Sequence, residues 1–233
     1  MIEKERQLNE LIENAKIVEM KNELNGKINE IENKLNEFQN NQNELNKNNV
    51  KKNEFNDLSV AYQTNLSWNE MKQLEEWTSL KCAEVLFDSD KDDWNSHGIF
   101  IERIINKKQL LFVIEDEENN KFGGYLNETI DKIGYNKYIT DSKAFLYSLQ
   151  SNGRIKGMMK FEIKDSSHAF VLSNDGYSPL FWFGYGEDLK IYRKQYKTDS
   201  YCTQSSYEYH GNEKALCGKD KFIPKRFVVI QMK

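Results

Sequence analysis

The sequence predicts an α+β protein: a two-sheet antiparallel β-sandwich with flanking helices, preceded by an N-terminal helical coiled coil. Three observations support this fold class. Apolar residues recur at heptad spacing in the first part of the chain, a helix start signal follows near residue 67, and short apolar runs separated by polar turns make up the rest. The 233 residues therefore divide into residues 1–65, a coiled-coil helix and linker, and residues 66–233, a β-sandwich domain.

Two parts of different character explain a composition that is unusual for one domain. Hydrophobic residues make up 38% and charged residues 30% of the chain, yet aromatic residues reach 12%, which is high for a wholly disordered protein. Residues 1–66 contain 16 Asn and no Trp, so all 4 Trp lie in the second part. The second part is therefore expected to hold the compact core.

A heptad pattern in the first part predicts the coiled coil. Apolar side chains recur at steps of four and three residues, and the predicted seam consists of Leu24, Ile28, Ile31, Leu35, Phe38 and Leu45. Because Asn is a poor helix former, the segment is expected to be helical only when its apolar stripe is covered. We expect self-association through residues 24–45. Packing of this segment on its own domain, or partial disorder, is the alternative.

The second part opens with Ser67 and Glu70, a capping box that predicts a helix over residues 68–83. Apolar runs beyond this helix predict strands at 109–116, 145–149, 158–163, 168–172, 179–184, 189–192 and 225–232. Segments of helical length do not separate these runs. An antiparallel sandwich with peripheral helices is therefore favoured over a parallel βαβ arrangement.

Charge and hydropathy exclude several classes of function. The formal net charge of -4 argues against a nucleic-acid-binding protein, which would carry a basic surface. No apolar run approaches the ~20 residues that span a bilayer, so no transmembrane segment is expected. The first residues lack the apolar segment of a signal peptide, and the expected location is cytoplasmic.

No arrangement of residues in the sequence predicts a catalytic, cofactor or metal site. The motifs G-x-S-x-G, G-x-G-x-x-G and the P-loop are missing. The acidic run at 88–93 departs from a calcium loop, because Asp93 and Ile99 stand where that loop requires Gly and Glu. An acidic solvated turn after a helix is the expected structure. We therefore expect no enzymatic activity, no cofactor and no metal.

The cysteines leave one alternative function open. Cys82, Cys202 and Cys217 are too few and too scattered for a disulfide framework, so thiols are expected. Cys202 or Cys217 would serve a thiol-dependent redox enzyme or a peroxide-scavenging protein if its surroundings lowered its pKa. Buried, inert thiols are the more common case, and the sequence offers no base or orienting partner for a nucleophile.

Three segments of the second part resemble the TLDc domain family, which is found in oxidation-resistance proteins. The first is the apolar run 110–114 followed by the tetrapeptide Phe122-Gly123-Gly124-Tyr125. The second is the run 145–149, and the third is the run 180–184 followed by Asp188-Leu189. The likeness covers about residues 66–233. At its last strand the chain has Gln231 where the family usually has Glu, so it resembles a divergent member.

The resemblance implies a sandwich of two antiparallel sheets with no established catalytic site. It also implies roles in the oxidative-stress response or in regulation of the vacuolar proton pump. Gly123 and Gly124 are expected to permit a close backbone approach or a positive φ, and Gly184 and Gly186 to form a hairpin turn. The expected function is therefore non-enzymatic, with oligomerisation through the coiled coil and protein–protein interaction through the sandwich.

Overall fold

The structure is a computed structural model that describes residues 59–61 and 63–233, together with residues 16, 20–21, 24–27 and 33–34 of the first part. The chain forms two compact units, Met1–Phe55 and Asn56–Lys233. In the first unit the described residues are helical, and the side chain of Leu24 is exposed. The other residues of the predicted seam lie outside the described residues: Ile28, Ile31, Leu35, Phe38 and Leu45.

The described residues of the second unit form ten strands in two antiparallel sheets, numbered here in chain order. The larger sheet is built from β1 (Cys82–Asp88), β2 (Leu110–Asp116), β3 (Lys121–Leu126), β4 (Phe145–Gln150), β5 (Met159–Glu162) and β10 (Pro224–Met232). The smaller sheet is built from β6 (Phe170–Leu172), β7 (Pro179–Phe183), β8 (Leu189–Tyr192) and β9 (Tyr201–Cys202). The larger sheet has the order β1-β10-β2-β3-β4-β5, and the smaller one β6-β7-β8-β9.

Aromatic side chains fill the space between the two sheets. The ring of Phe112 on β2 lies 5.2 Å from Phe170, 4.9 Å from Phe181 and 5.4 Å from Phe183, measured between ring centroids. All four rings are fully buried. Such pairs stabilise a core by their buried area and by favourable edge-to-face geometry. The predicted two-sheet antiparallel architecture of this part is confirmed.

Helix α1 (Trp68–Thr78) begins at the predicted capping box, because Ser67 and Glu70 satisfy each other's backbone N–H groups. It ends at Thr78, since Ser79 adopts a left-handed conformation with φ of 57°. The predicted extension of the helix to residue 83 is wrong. Cys82 already opens β1, whose ladder with β10 overrides the local helical pattern.

A second core lies on the outer face of the larger sheet, under α1. Successive side chains of a strand point to opposite faces, so Leu111 and Val113 of β2 meet Met71 and Leu74 of α1. Burial on both faces explains why β2 is one continuous apolar run. Val60 packs into the same core, so part of the segment predicted as a linker belongs to the domain's interior.

The described residues of this unit also form helix α2 (His97–Ile104), two short 3-10 helices, Ser166–His168 and Lys194–Asp199, and a helical stretch at 59–61 and 63–64 before α1. Phe100 of α2 packs into the core between the sheets, where it stacks on Phe181 at 5.5 Å. Among the described residues, no helix has the length and apolar character needed to cross a membrane.

Candidate functional site

The Phe-Gly-Gly-Tyr segment forms the centre of β3, and its two glycines face opposite sides of the larger sheet. A Cβ on Gly123 would collide with the carbonyl oxygen of Phe112 and lie 2.7 Å from the hydroxyl oxygen of Tyr147. A Cβ on Gly124 would lie 2.7 Å from the ring of Phe183 on the smaller sheet. Both glycines therefore permit close approach of neighbouring groups, and neither has a positive φ.

Tyr147 uses the space that Gly123 leaves open. It stands opposite Gly123 on β4, and its hydroxyl donates across β3 to the Phe112 carbonyl at 2.8 Å. Burial raises the pKa of Tyr147 well above its ordinary value, so the phenol stays protonated and remains a donor. Phe122 lies in the core between the sheets and Tyr125 in the outer core. The segment thus performs a structural task.

The turn between β7 and β8 is built around the buried carboxylate of Asp188. Its oxygens accept hydrogen bonds from the backbone N–H of Ser205 at 2.8 Å and of Ser206 at 2.9 Å. Gly184 has a φ of +81°, and a Cβ there would lie 2.6 Å from Asp188 Oδ2. A Cβ on Gly186 would collide with Ser205. These contacts fasten the turn to the segment that follows β9.

The acidic run at 88–93 is in part the solvated turn that the sequence predicted, because Asp90 and Asp93 are exposed. It follows a strand, and Asp88 is buried with its carboxylate bound to Arg226 at 3.0 and 2.8 Å. Burial opposes ionisation of Asp88, but hydrogen bonds from Arg226 and Lys91 outweigh it and lower the pKa of the carboxyl. Within the described part of the chain, no group of three or more His, Cys, Asp or Glu side chains could hold a metal ion.

Two of the cysteines meet in the core between the sheets. Cys202 on β9 and Cys217 in the connection to β10 are both buried, and the Cys217 thiol donates to the Lys219 carbonyl at 2.9 Å. Burial raises the pKa of Cys202 well above its ordinary value. The neighbouring Cys202 thiol and the Lys219 backbone lower the pKa of Cys217 despite burial. Cys82 belongs to the outer core, on the other face of the larger sheet.

The outer face of the smaller sheet carries a cluster of aromatic side chains, here called the aromatic face: Tyr135, Tyr138, Tyr177, Trp182 and Tyr185. Trp182 is buried beneath the other rings, whereas the exposed fractions of Tyr135, Tyr177 and Tyr185 are 49%, 43% and 69%. Tyr135 lies 5.0 Å from Tyr177 and 5.9 Å from Trp182, and Tyr138 lies 6.2 Å from Tyr185. This surface could not be predicted from the sequence, because no spacing pattern connects its members.

Lysines accompany the aromatic face. An open groove of about 500 Å³ beside Tyr138 is lined by Lys132 and Lys137 and by the exposed side chain of Ile133. The Lys190 ammonium lies 4.9 Å from the ring centroid of Trp182, within cation–π distance. The Lys190 ammonium is already paired with Glu187 at 2.6 Å, so the positive charge that this surface offers comes from Lys132 and Lys137 beside the apolar rings.

The part of the chain that forms the two sheets matches a known protein family. The profile of the TLDc domain matches residues 60–229, a range that includes α1, α2 and nearly all of the two sheets. No curated protein sequence matches the chain.

Proposed function

Since the chain belongs to the TLDc domain family, we propose that it is a non-enzymatic protein that binds another protein through its sandwich and oligomerises through its N-terminal segment. The roles that the family resemblance implies, in the oxidative-stress response or in regulation of the vacuolar proton pump, provide the physiological setting. Of these, the pump offers a defined protein partner.

The aromatic face is the observation that carries this proposal. Tyr and Trp dominate the binding energy of many interfaces, because they bury a large area with few rotatable bonds. Here Tyr135 and Tyr177 are stacked on each other, which fixes their orientation before a partner arrives. Preordered side chains lose less conformational entropy on binding.

Structural hydrogen bonds engage two buried polar groups that would otherwise be candidates for catalysis, and this supports a non-enzymatic role. The ring Nε2–H of His97 donates to the Pro179 carbonyl at 2.9 Å, in a fully buried position. The Asp188 carboxylate is held by backbone N–H groups. A catalytic group needs access to a substrate and a partner that moves its proton, and these two groups serve the fold instead.

The heptad pattern of residues 24–45 supports the oligomerisation part of the proposal. Leu24, the member of the seam that the structure describes, lies in a helical stretch with its side chain exposed. Covering such a side chain with a partner helix stabilises the helical pair by roughly 1.5–3 kcal/mol.

The test of partner binding uses the purified vacuolar proton pump as probe and the full chain as ligand. The triple variant Tyr135→Ser, Tyr177→Ser, Tyr185→Ser is expected to weaken binding at least about tenfold, the effect of losing interface anchors. Trp68→Ser is the matched control, since Trp68 is an exposed aromatic residue on α1, beyond the larger sheet. Equal binding by the triple variant would refute the role assigned to the aromatic face, and a wild-type chain that does not bind the pump would refute that partner.

A further inference from the structure

We propose that a cleft at the C-terminal end of helix α1 is a binding site for a small ligand with a flat aromatic body and one carboxylate. The cleft has a volume of about 480 Å³. Small-molecule sites usually have volumes of about 300–1,000 Å³. The residues that line the cleft are not those of the aromatic face, so this site goes beyond the proposed binding function.

Aromatic rings form the floor of the cleft. Tyr125 and Phe145 are buried, and their ring centroids lie 5.1 Å apart. Trp77, which is half-buried near the end of α1, meets the Phe145 ring edge-to-face at 6.3 Å. Rings that hold one another in place form a flat apolar surface and lose little conformational entropy on binding. A planar aromatic ligand matches this floor.

The local backbone shapes the walls of the cleft. Helix α1 ends at Thr78, and Ser79 follows in a left-handed conformation with φ of 57°. On the opposite wall, Gln109 precedes β2 with φ of 56°. Its N–H donates to the Asn127 carbonyl at 3.1 Å, and its carbonyl accepts from the N–H of Met232 at 2.8 Å. These bonds fix the main chain from which the Gln109 side chain extends.

Three polar side chains that line the cleft keep their hydrogen-bonding groups available. They are the amide of Gln109, the hydroxyl of Ser142 and the ammonium of Lys143. Within the described part of the chain, none of these three side chains takes part in a hydrogen bond or an ion pair. All three can donate to an oxygen of a ligand. The cleft therefore combines an apolar floor with a few polar groups, as small-molecule sites do.

The charges that line the cleft favour an anion. The Lys160 ammonium is paired with the Glu162 carboxylate at 3.1 Å, so these two charges offset each other. The Lys143 ammonium remains as an uncompensated positive charge. Hydrogen bonds from charged donors to carboxylates are stronger than those between neutral groups. A carboxylate is therefore the group that the ligand is expected to present to Lys143.

Two further carboxylates lie near the floor of the cleft, but neither lines it. The Asp141 carboxylate accepts from the backbone N–H of Asn127 at 2.6 Å and of Lys143 at 2.8 Å. The Glu128 carboxylate accepts from the Asn127 side-chain amide at 3.1 Å. Both acids are engaged with neighbouring N–H groups, and the Lys143 ammonium is left to a ligand.

The test uses 2-naphthoate as the probe and follows the full chain by ¹H–¹⁵N nuclear magnetic resonance. The binding energy per atom that is typical of small ligands predicts a Kd of about 1 mM or tighter for a probe of this size. The resonances expected to shift are the indole N–H of Trp77 and the side-chain amides of Gln109 and Asn127, since these groups line the cleft.

Substitutions of Lys143 test the assigned charge. Lys143→Met is expected to weaken binding of 2-naphthoate about threefold to tenfold, the effect of losing one charged hydrogen bond at a partly exposed site. Binding of the uncharged analogue 2-naphthamide should stay the same, and Lys143→Arg should retain the affinity for 2-naphthoate. Lys156→Met is the matched control, because Lys156 is also exposed but lies outside the cleft.

Three results would overturn the inference. The first is a wild-type chain whose resonances do not shift at about 10 mM 2-naphthoate, ten times the expected Kd. The second is a set of shifts confined to the aromatic face, since the probe would then bind other rings. The third is an equal effect of Lys143→Met and Lys156→Met. The amide spectrum of each variant shows whether it is folded, and partner binding is tested separately because every variant keeps the aromatic face.

Discussion

Replacing Gly123 by Ala is expected to destabilise the domain strongly, although it adds one methyl group. The new Cβ would meet the carbonyl oxygen of Phe112, which belongs to the backbone of a central strand and cannot rotate away. It would also lie 2.7 Å from the Tyr147 hydroxyl oxygen, and so displace that hydroxyl from its hydrogen bond.

The magnitude follows from these two contacts. Inserting a methyl group into a filled core costs about 1–3 kcal/mol through shifts of backbone and side chains. Loss of the Tyr147 hydrogen bond at a fully buried site costs about 1–3 kcal/mol, since the donor is left unsatisfied. Gly123→Ala is therefore expected to lower the free energy of unfolding by about 2–6 kcal/mol, a large share of the 5–15 kcal/mol that is typical of a domain.

Urea unfolding of the full chain, followed by tryptophan fluorescence, measures this loss. Tyr147→Phe should cost only about 1 kcal/mol. Combining it with Gly123→Ala should give no rescue, because the collision with Phe112 remains. Gly98→Ala is the matched control, since a Cβ there would meet only Ser96 Oγ at 3.6 Å. A loss for Gly123→Ala below about 0.5 kcal/mol, within the range of ordinary surface substitutions, would refute the reasoning.

Asp188→Asn is expected to lower the free energy of unfolding by about 1–3 kcal/mol, because the amide leaves a backbone N–H unsatisfied; an unchanged calorimetric melting temperature would contradict this. Leu24→Asp combined with Ile31→Asp is expected to reduce the oligomeric state in sedimentation equilibrium and to leave the sandwich folded, and a monomeric wild type would rule the idea out. The pKa of Asp88 is lowered in the folded protein, since burial is outweighed by Arg226. Its stabilisation is therefore present above the unfolded pKa of about 3.9 and is lost as pH falls through the folded value. In the Asp88→Asn variant, the free energy of unfolding should fall less steeply as the pH is lowered into the acid range. An unchanged dependence on pH would show that Asp88 does not contribute to it.

Strands that are buried on both faces could be predicted from the sequence, because their apolar runs are continuous. The predicted runs 109–116 and 225–232 differ by one residue at an end from Leu110–Asp116 and Pro224–Met232. The strand Cys82–Asp88 was missed, since it has few fully buried positions and its pairing with β10 depends on residues far along the chain.

Helix α2 was also missed, although its start carried a local signal. Ser96 caps the helix by accepting from the N–H of Ile99, and this pattern could have been found before an apolar stretch.

The aromatic face and the shared core position of Cys202 and Cys217 could not be predicted, because both depend on tertiary contacts. Tyr135 and Tyr177 reach each other from two separate loops. Cys202 and Cys217 belong to one core because β9 pairs with the segment around Lys221. No periodic pattern or motif in the sequence indicates that the residues of either group lie close together.

The position of β10 between β1 and β2 has a consequence for the way the protein is made. Asp88 and Arg226 are 138 residues apart in sequence, yet their strands are neighbours. At about 5–20 residues per second, a ribosome needs roughly 7–28 s to synthesise that stretch. During this interval the unpaired edges of β1 and β2 can join with strands of other nascent chains. The rate of translation therefore sets how long each new molecule is exposed to misassembly.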